Sequence, residues 1–377
     1  MKNALAVATA SGMLALAAFS VAAVAMPAPA RPAQEKFKYA SMAGCNTKDC
    51  HGADAAKGSP GLNEYTIWKA QDPHAKAFTT LYKAPSKAMG AALNIPKVYE
   101  SPKCLTCHSK IVDAAGVVEG AKWSVQNGVS CEVCHGPAEK WFKPHATPKE
   151  SNWSHKQSVE NGMIDLRDPF DWAVKCASCH LQIDYDMIKA GHPRLHFELI
   201  EYNSRTGAHW KTEKHPSMAP GFDAKAWTVG QAISLAEALR NLGRQLSGGA
   251  DADTVKKATE QAAAHLSLLK LVPGFTAAEI PADAAKCDEL ARAVEAQAKT
   301  LPAGDDALLA KLAVEEYPRN FSTARQQSLA IRALTTKPDA RAAIDKLCEM
   351  IAPKQEPSFD LAKFNQEFYE VKKLVFK

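Results

Sequence analysis

Three copies of one cysteine–histidine pattern stand in the sequence: Cys104-Leu-Thr-Cys107-His108, Cys131-Glu-Val-Cys134-His135 and Cys176-Ala-Ser-Cys179-His180. A fourth, Cys45-Asn-Thr-Lys-Asp-Cys50-His51, has two more residues between its thiols. Two thiols about a turn apart can add across the two vinyl groups of one porphyrin edge. The histidine that follows then turns its imidazole under the ring to ligate the iron. In the longer copy the intervening loop must bulge while keeping both thioether positions. Zinc would need pairs of motifs converging on one tetrahedral site, and it would leave the trailing histidine unexplained in all four copies. A redox dithiol would not demand that histidine either. The expectation is four covalently bound haem c groups, held by Cys45 and Cys50, Cys104 and Cys107, Cys131 and Cys134, and Cys176 and Cys179. Their proximal ligands are His51, His108, His135 and His180.

Of ten cysteines, the motifs leave only Cys287 and Cys348. In an oxidising compartment the expectation for such a pair is a disulfide joining two helices. The compartment is read from the N-terminus. Lys2 precedes an uncharged run from Ala4 to Met26, and Ala23-Val24-Ala25 offers a small-x-small cleavage site. Residues 1–25 therefore read as a signal peptide and 26–43 as a Pro/Ala-rich linker, with an uncleaved anchor as the alternative. The protein is expected to be periplasmic or otherwise extracytoplasmic, with no stable membrane span after cleavage. A formal net charge of +5, from 46 Lys and Arg against 41 Asp and Glu, comes without any basic run. That argues against a nucleic-acid partner.

The elements that must position the motifs differ along the chain. Residues 44–225 hold all four motifs, many Pro and Gly turns and little apolar periodicity. This suits a tetrahaem domain whose core is porphyrin, with haem faces in place of apolar side-chain stripes. From 226 to 377 the texture is helical. Thr228-Val-Gly-Gln231 reads as a capping box ahead of apolar residues at helical spacing, and Asp253 as the cap of a second helix ending at Pro273-Gly274. Further helices are expected near 282–299, 305–316, 323–335, 339–351 and 360–376, with Thr323-Ala-Arg-Gln326 as another capping box. The fold class is mainly α: a haem-packed multihaem cytochrome domain with little regular structure, followed by an all-α helical bundle. The bundle carries no chemical constellation and reads as a structural or docking part.

Proximal ligation uses four of twelve histidines. Electron carriers usually close the sixth iron position, whereas haem enzymes leave it open. The candidates are His74, His145, His155, His192, His196, His209, His215 and His265, with Met89 and Met187 ranked below them. Two segments carry a family resemblance. One is Asp72-Pro-His74-Ala-Lys-Ala77; the other is Gly128-Val-Ser-Cys131-Glu-Val-Cys134-His135-Gly-Pro137, followed by His145. Together with the four motifs they resemble the tetrahaem cytochrome c-554 family, electron carriers associated with hydroxylamine oxidation in ammonia-oxidising bacteria. The resemblance spans residues 44–215. It implies that His74 is the distal ligand opposite His135 and that His145 faces His51. It also implies a fourth distal histidine beyond the fourth motif, and no protein ligand over the second haem. His192, its backbone fixed between Gly191 and Pro193, is the first choice for the iron on His180. His209 either closes the iron on His108 or is a structural residue beside Trp210. His155, His215 and His265 read as surface or core residues. The first motif is longer than the family's, and the C-terminal helices have no counterpart in its short members.

The leading functional expectation is a multihaem electron carrier between redox proteins, because attachment points packed between Cys45 and His180 bring the irons close. The alternative is a haem oxidoreductase acting on a small nitrogen or oxygen compound at an open iron on His108. A third class would use the helical part to assemble a scaffold-bound module.

Overall fold

The computed structural model describes residues 36–54, 62–209, 219–305, 307–308, 311–312, 317–335 and 337–375. The expected signal peptide, the first part of the linker, Trp210 and His215 lie outside the described residues, as does part of the helix expected over 305–316. The chain is mainly α-helical. Among the described residues no strand forms, and β pairing is limited to a parallel bridge between Tyr39 and Val117.

The motif-bearing part is a series of short helices: α1 Met42–Cys45, α2 Glu64–Gln71, α3 Ala84–Ala92, α4 Pro102–His108, α5 Cys131–His135, α6 His155–Glu160, α7 Pro169–His180, α8 Tyr185–Lys189 and α9 Leu199–Asn203. Prolines open α4 and α7 at their first turn, where a missing N–H costs nothing. Asp168 caps α7 by accepting from the Phe170 N–H at 2.7 Å. The apolar cluster around the second motif is small, made of Phe78, Leu81, Val98, Cys104 and Leu105.

The bundle comprises α10 Phe222–Ser247, α11 Ala252–Leu269, α12 Ala284–Ala298, α13 Phe321–Leu334, α14 Pro338–Met350 and α15 Leu361–Val375. Its axis is α10, which is buried on nearly every side from Ala226 to Leu239 and packs against α7, α9, α11 and α12. The expected capping box at Thr228 does not form. The cap instead lies seven residues earlier, at Gly221 with a φ of 77°. Thr228 is a buried interior residue whose hydroxyl donates to the Ala224 carbonyl at 3.1 Å. Burial of Ala226 and Trp227 favours extending the helix over capping it at Thr228. Two further caps are displaced. Asp251 rather than Asp253 caps α11, accepting from the Thr254 N–H, and the capping box of α13 is Asn320 with Thr323. Pro338 occupies the first turn of α14 as expected.

The two parts share one core. Phe170, Ala173 and Ala177 of α7, with Leu181, Phe197 and Leu199, lie in the same buried cluster as Trp227, Leu235 and Leu239 of α10. All described residues belong to one compact unit.

The disulfide expected between Cys287 and Cys348 is absent, and both residues are free. Their surroundings differ. Cys287 is buried with Leu242 and Ala258, its thiol donating to the Pro281 carbonyl, whereas Cys348 lies on α14 against the main cluster. Each behaves as a small apolar side chain in its own site. Unfolding the unreduced protein in the presence of a thiol reagent should therefore label both residues. Finding neither labelled would restore the bridge.

Candidate functional site

In the first motif, Cys45 ends α1 and the longer spacing is absorbed locally. Cys50 N–H bonds Thr47 O at 3.0 Å, and His51 N–H returns to Cys45 O at 3.1 Å. Residues six apart in sequence are thus brought to the closeness of a turn. Gly52 closes the loop: a Cβ there would sit 2.1 Å from Asn46 O, which no other residue could tolerate without moving the backbone. The other three motifs lie on α4, α5 and the last turn of α7. There the paired cysteines, three positions apart, share a helix face.

Glu132, inside the third motif, ties that motif to the first. Its carboxylate accepts from Ala40 N–H at 2.8 Å, Ser41 N–H at 2.8 Å and Ala138 N–H at 2.9 Å, so the segment entering α1 is fixed against α5. Burial pushes its carboxyl up, opposed by these three donors. Thiols of different motifs meet as well. Cys45 and Cys131 are electrostatic neighbours, as are Cys107 with Cys179 and Cys134 with Cys176. Among the described residues, no group of three or more His, Cys, Asp or Glu side chains could hold a bare metal ion.

The imidazoles form pairs. His51 and His145 have ring centres 6.1 Å apart with planes 7° from parallel. His74 and His180 are 5.8 Å apart at 77°, and His135 and His209 are 6.5 Å apart at 76°. A histidine nitrogen sits about 2 Å from a bound metal, so two rings on opposite sides of one iron have centres about 6 Å apart. Three pairs have that separation. Most of these rings also donate through Nδ1, the arrangement in which Nε2 is the ligating nitrogen. His51 Nδ1 donates to Glu64 at 2.8 Å, His74 Nδ1 to Asp72 at 2.8 Å, His145 Nδ1 to Trp141 O at 3.0 Å and His209 Nδ1 to Gly207 O at 3.1 Å. His108 Nδ1 donates to Ala77 O at 3.0 Å. His135 and His180 are both pushed down to about 4, by burial first and then by neighbouring imidazoles. Neutral imidazole is the form that binds a metal.

The pairing differs from what the resemblance implied. The ring of His145 lies beside that of His51, the ring of His74 lies beside that of His180, and the ring beside His135 is that of His209. His192 is not the neighbour of His180. Burial first, and then the nearby His108, pushes its pKa down, and its Nδ1 donates to Pro193 O at 2.8 Å. The motif chemistry determines which residues attach a porphyrin, but which ring crosses to which motif depends on the tertiary fold. His196 uses Nε2, the nitrogen a ligand would need, in a hydrogen bond with Glu356 at 2.9 Å, and His155 Nε2 lies 3.1 Å from Asp165. His265 is fully buried in the bundle, donating from Nδ1 to Gln231 at 2.7 Å.

Sequence reading missed Glu64, Asp72 and the ring contacts of His180. Asp72 was legible: an Asp two residues before His74 can form an Asx turn, and here it accepts from both the backbone N–H and Nδ1 of His74. The motif cysteines and the paired rings, most of them bonded through Nδ1, fit haem c groups.

Comparison with known proteins agrees. Residues 44–136 match the family described as cytochrome c554 and c-prime. Cytochrome c-554 of Nitrosomonas europaea is 27% identical over 184 residues, which covers 46% of this chain and 68% of that relative. No solved structure matches the chain. The motif-bearing part of the chain is thus similar to the cytochrome c-554 family, and these matches support a c-type cytochrome.

Proposed function

We propose that the protein is an extracytoplasmic tetrahaem cytochrome that passes electrons between redox proteins. The eight motif cysteines would hold four haem c groups by thioether bonds, with His51, His108, His135 and His180 as proximal ligands. His145 would face His51, His74 would face His180, and His209 would face His135. His192 is the candidate sixth ligand at His108. A bound haem supplies a one-electron iron couple. The observation that carries this reading is the three imidazole pairs, each joining a motif histidine to one from elsewhere in the chain.

The chain's own residues do the rest. Glu64, Asp72 and the carbonyls of Trp141 and Gly207 hold rings with Nε2 outward, and burial keeps His135 and His180 neutral. Electrostatic neighbours among the cysteines suggest an order that chain position does not. The first motif neighbours the third, the third neighbours the fourth and the fourth neighbours the second. A row with the first and second motifs at its ends suits relay between two partners. Export rests on the signal-like segment 1–25. Among the described residues no helix is long and apolar enough to cross a membrane.

Denatured mature protein should keep the absorbance and mass of four haems, since thioethers survive unfolding. Cys50→Ser should lose one haem and keep three. A wild-type count of three would remove the first motif. Carbon monoxide added to the reduced protein should bind at most one iron, that on His108. Binding at two or more would overturn the ligand pairs, and turnover of nitrite, hydroxylamine or peroxide at His108 would favour an oxidoreductase.

A further inference from the structure

The ring of His180, like that of His135, bonds no Nδ1 acceptor among the described residues, and two aromatic side chains lie against it. Phe197 lies 5.6 Å away at 18°, and Tyr202 lies 4.9 Å away at 74°. These two rings also touch each other at 5.1 Å, and the Tyr202 hydroxyl donates to the His196 carbonyl.

The segment carrying them is fastened to the bundle along its length. Gln261 of α11 donates to Leu195 O at 2.8 Å, and Gln326 of α13 donates to Phe197 O at 3.2 Å. Glu356, beyond α14, bonds both Arg194 at 2.6 Å and His196 at 2.9 Å. Arg325 of α13 pairs with Glu201 at 2.6 Å, both side chains almost wholly buried. On the other side of the motif, α10 grips the chain just after His180. Asn241 accepts from Ile183 N–H at 3.2 Å, and Gln245 donates to Ile183 O at 2.7 Å. Helix α7 itself is part of the bundle core.

We propose that the C-terminal bundle is a mount for the iron on His180, with Phe197 and Tyr202 as positioning residues that set the rotation of the His180 imidazole. The inference rests on the haem reading above. A surface role alone would not require polar contacts from α10, α11 and α13 to converge on the segments flanking one motif. The angle such positioning would hold is the near-perpendicular 77° between His74 and His180; His135 and His209 stand at 76° and His51 and His145 at 7°. In low-spin iron the angle between axial imidazole planes is read directly from the EPR signal, and ligand orientation is one of the protein's levers on a haem.

Tyr202→Leu removes the ring but fills the space; Tyr202→Phe keeps the ring and loses only the hydroxyl. The Leu variant, with four haems still attached, should shift the EPR signal of one perpendicular haem and move one step of the reductive titration. The Phe variant should retain the wild-type signal. Four unchanged signals in the Leu variant, or equal changes in all four, would overturn the proposal. If the Leu variant does not accumulate, Gln326→Leu loosens Phe197 from the bundle side, and an unchanged spectrum there would overturn it equally. Failure of the haem reading is separate: the wild type would then show fewer than four haems or no low-spin signals.

Discussion

Replacing His74 by alanine is expected to take the iron at His180 out of its low-spin state and leave the iron at His135 untouched. The ring of His74 is 5.8 Å from that of His180, while His135 has His209 at 6.5 Å. His74 also sits in a prepared position. Asp72, buried at 5% exposure, accepts from its Nδ1 at 2.8 Å, which fixes the tautomer and strengthens the opposite nitrogen as a donor. Removing that donor should give one high-spin haem, raise its potential and create one new carbon monoxide site. The assignment is checked by combination. In a protein whose Cys176 and Cys179 are both serine, the fourth haem is not attached, and His74→Ala should then cause no further loss of low-spin signal. Additive losses would instead place His74 over another motif. His209→Ala is the companion variant and should act on the iron at His135.

The legible part of this site was the part made by local covalent chemistry. Cys104, Cys107 and His108 must be close in sequence because one porphyrin edge and one iron face demand it, so spacing alone reveals them. His145 could be carried over by resemblance because it follows the third motif closely. The partners of His135 and His180 could not, since His74 and His209 reach their neighbours through the folded chain. Helices were legible by apolar period, and Pro338 marked the start of α14, but the start of α10 was not legible. Thr228 has the residue type of a cap, yet Ala226 and Trp227 ahead of it are fully buried, and packing extends α10 back to Phe222. The role of α7 was hidden for a related reason. Its apolar residues, Phe170, Ala173 and Ala177, are few and lie beside a haem motif. Only the fold shows that they belong to the bundle core.

Arg325→Met is expected to be the most destabilising single change in the bundle, at about 3–5 kcal/mol near neutral pH, because it strands a buried carboxylate. Arg325 is 1% exposed, bonds Ile351 O at 2.7 Å and pairs with Glu201, itself 5% exposed, at 2.6 Å. The only other cation bonding Glu201 among the described residues is Arg205, whose side chain is half exposed. The loss should depend on pH through Glu198, which burial pushes up to about 7 and which Arg325 pulls back down. A carboxyl whose folded pKa lies above its unfolded value holds its proton more tightly in the native state. Stability therefore falls as pH rises from the unfolded pKa, about 4.3, to the folded one. Without Arg325 the folded pKa of Glu198 rises further, so the fall continues to higher pH and the gap between variant and wild type widens above pH 7. Urea unfolding at pH 5 and pH 8 should show the larger difference at pH 8. Replacing both partners, Arg325→Met with Glu201→Met, should recover much of the loss, since no unpaired charge then remains in the core. A single-variant cost under about 1 kcal/mol at pH 8 would be the value of an exposed pair, and would mean that Arg325 does not hold the segment carrying Phe197 and Tyr202 against the bundle.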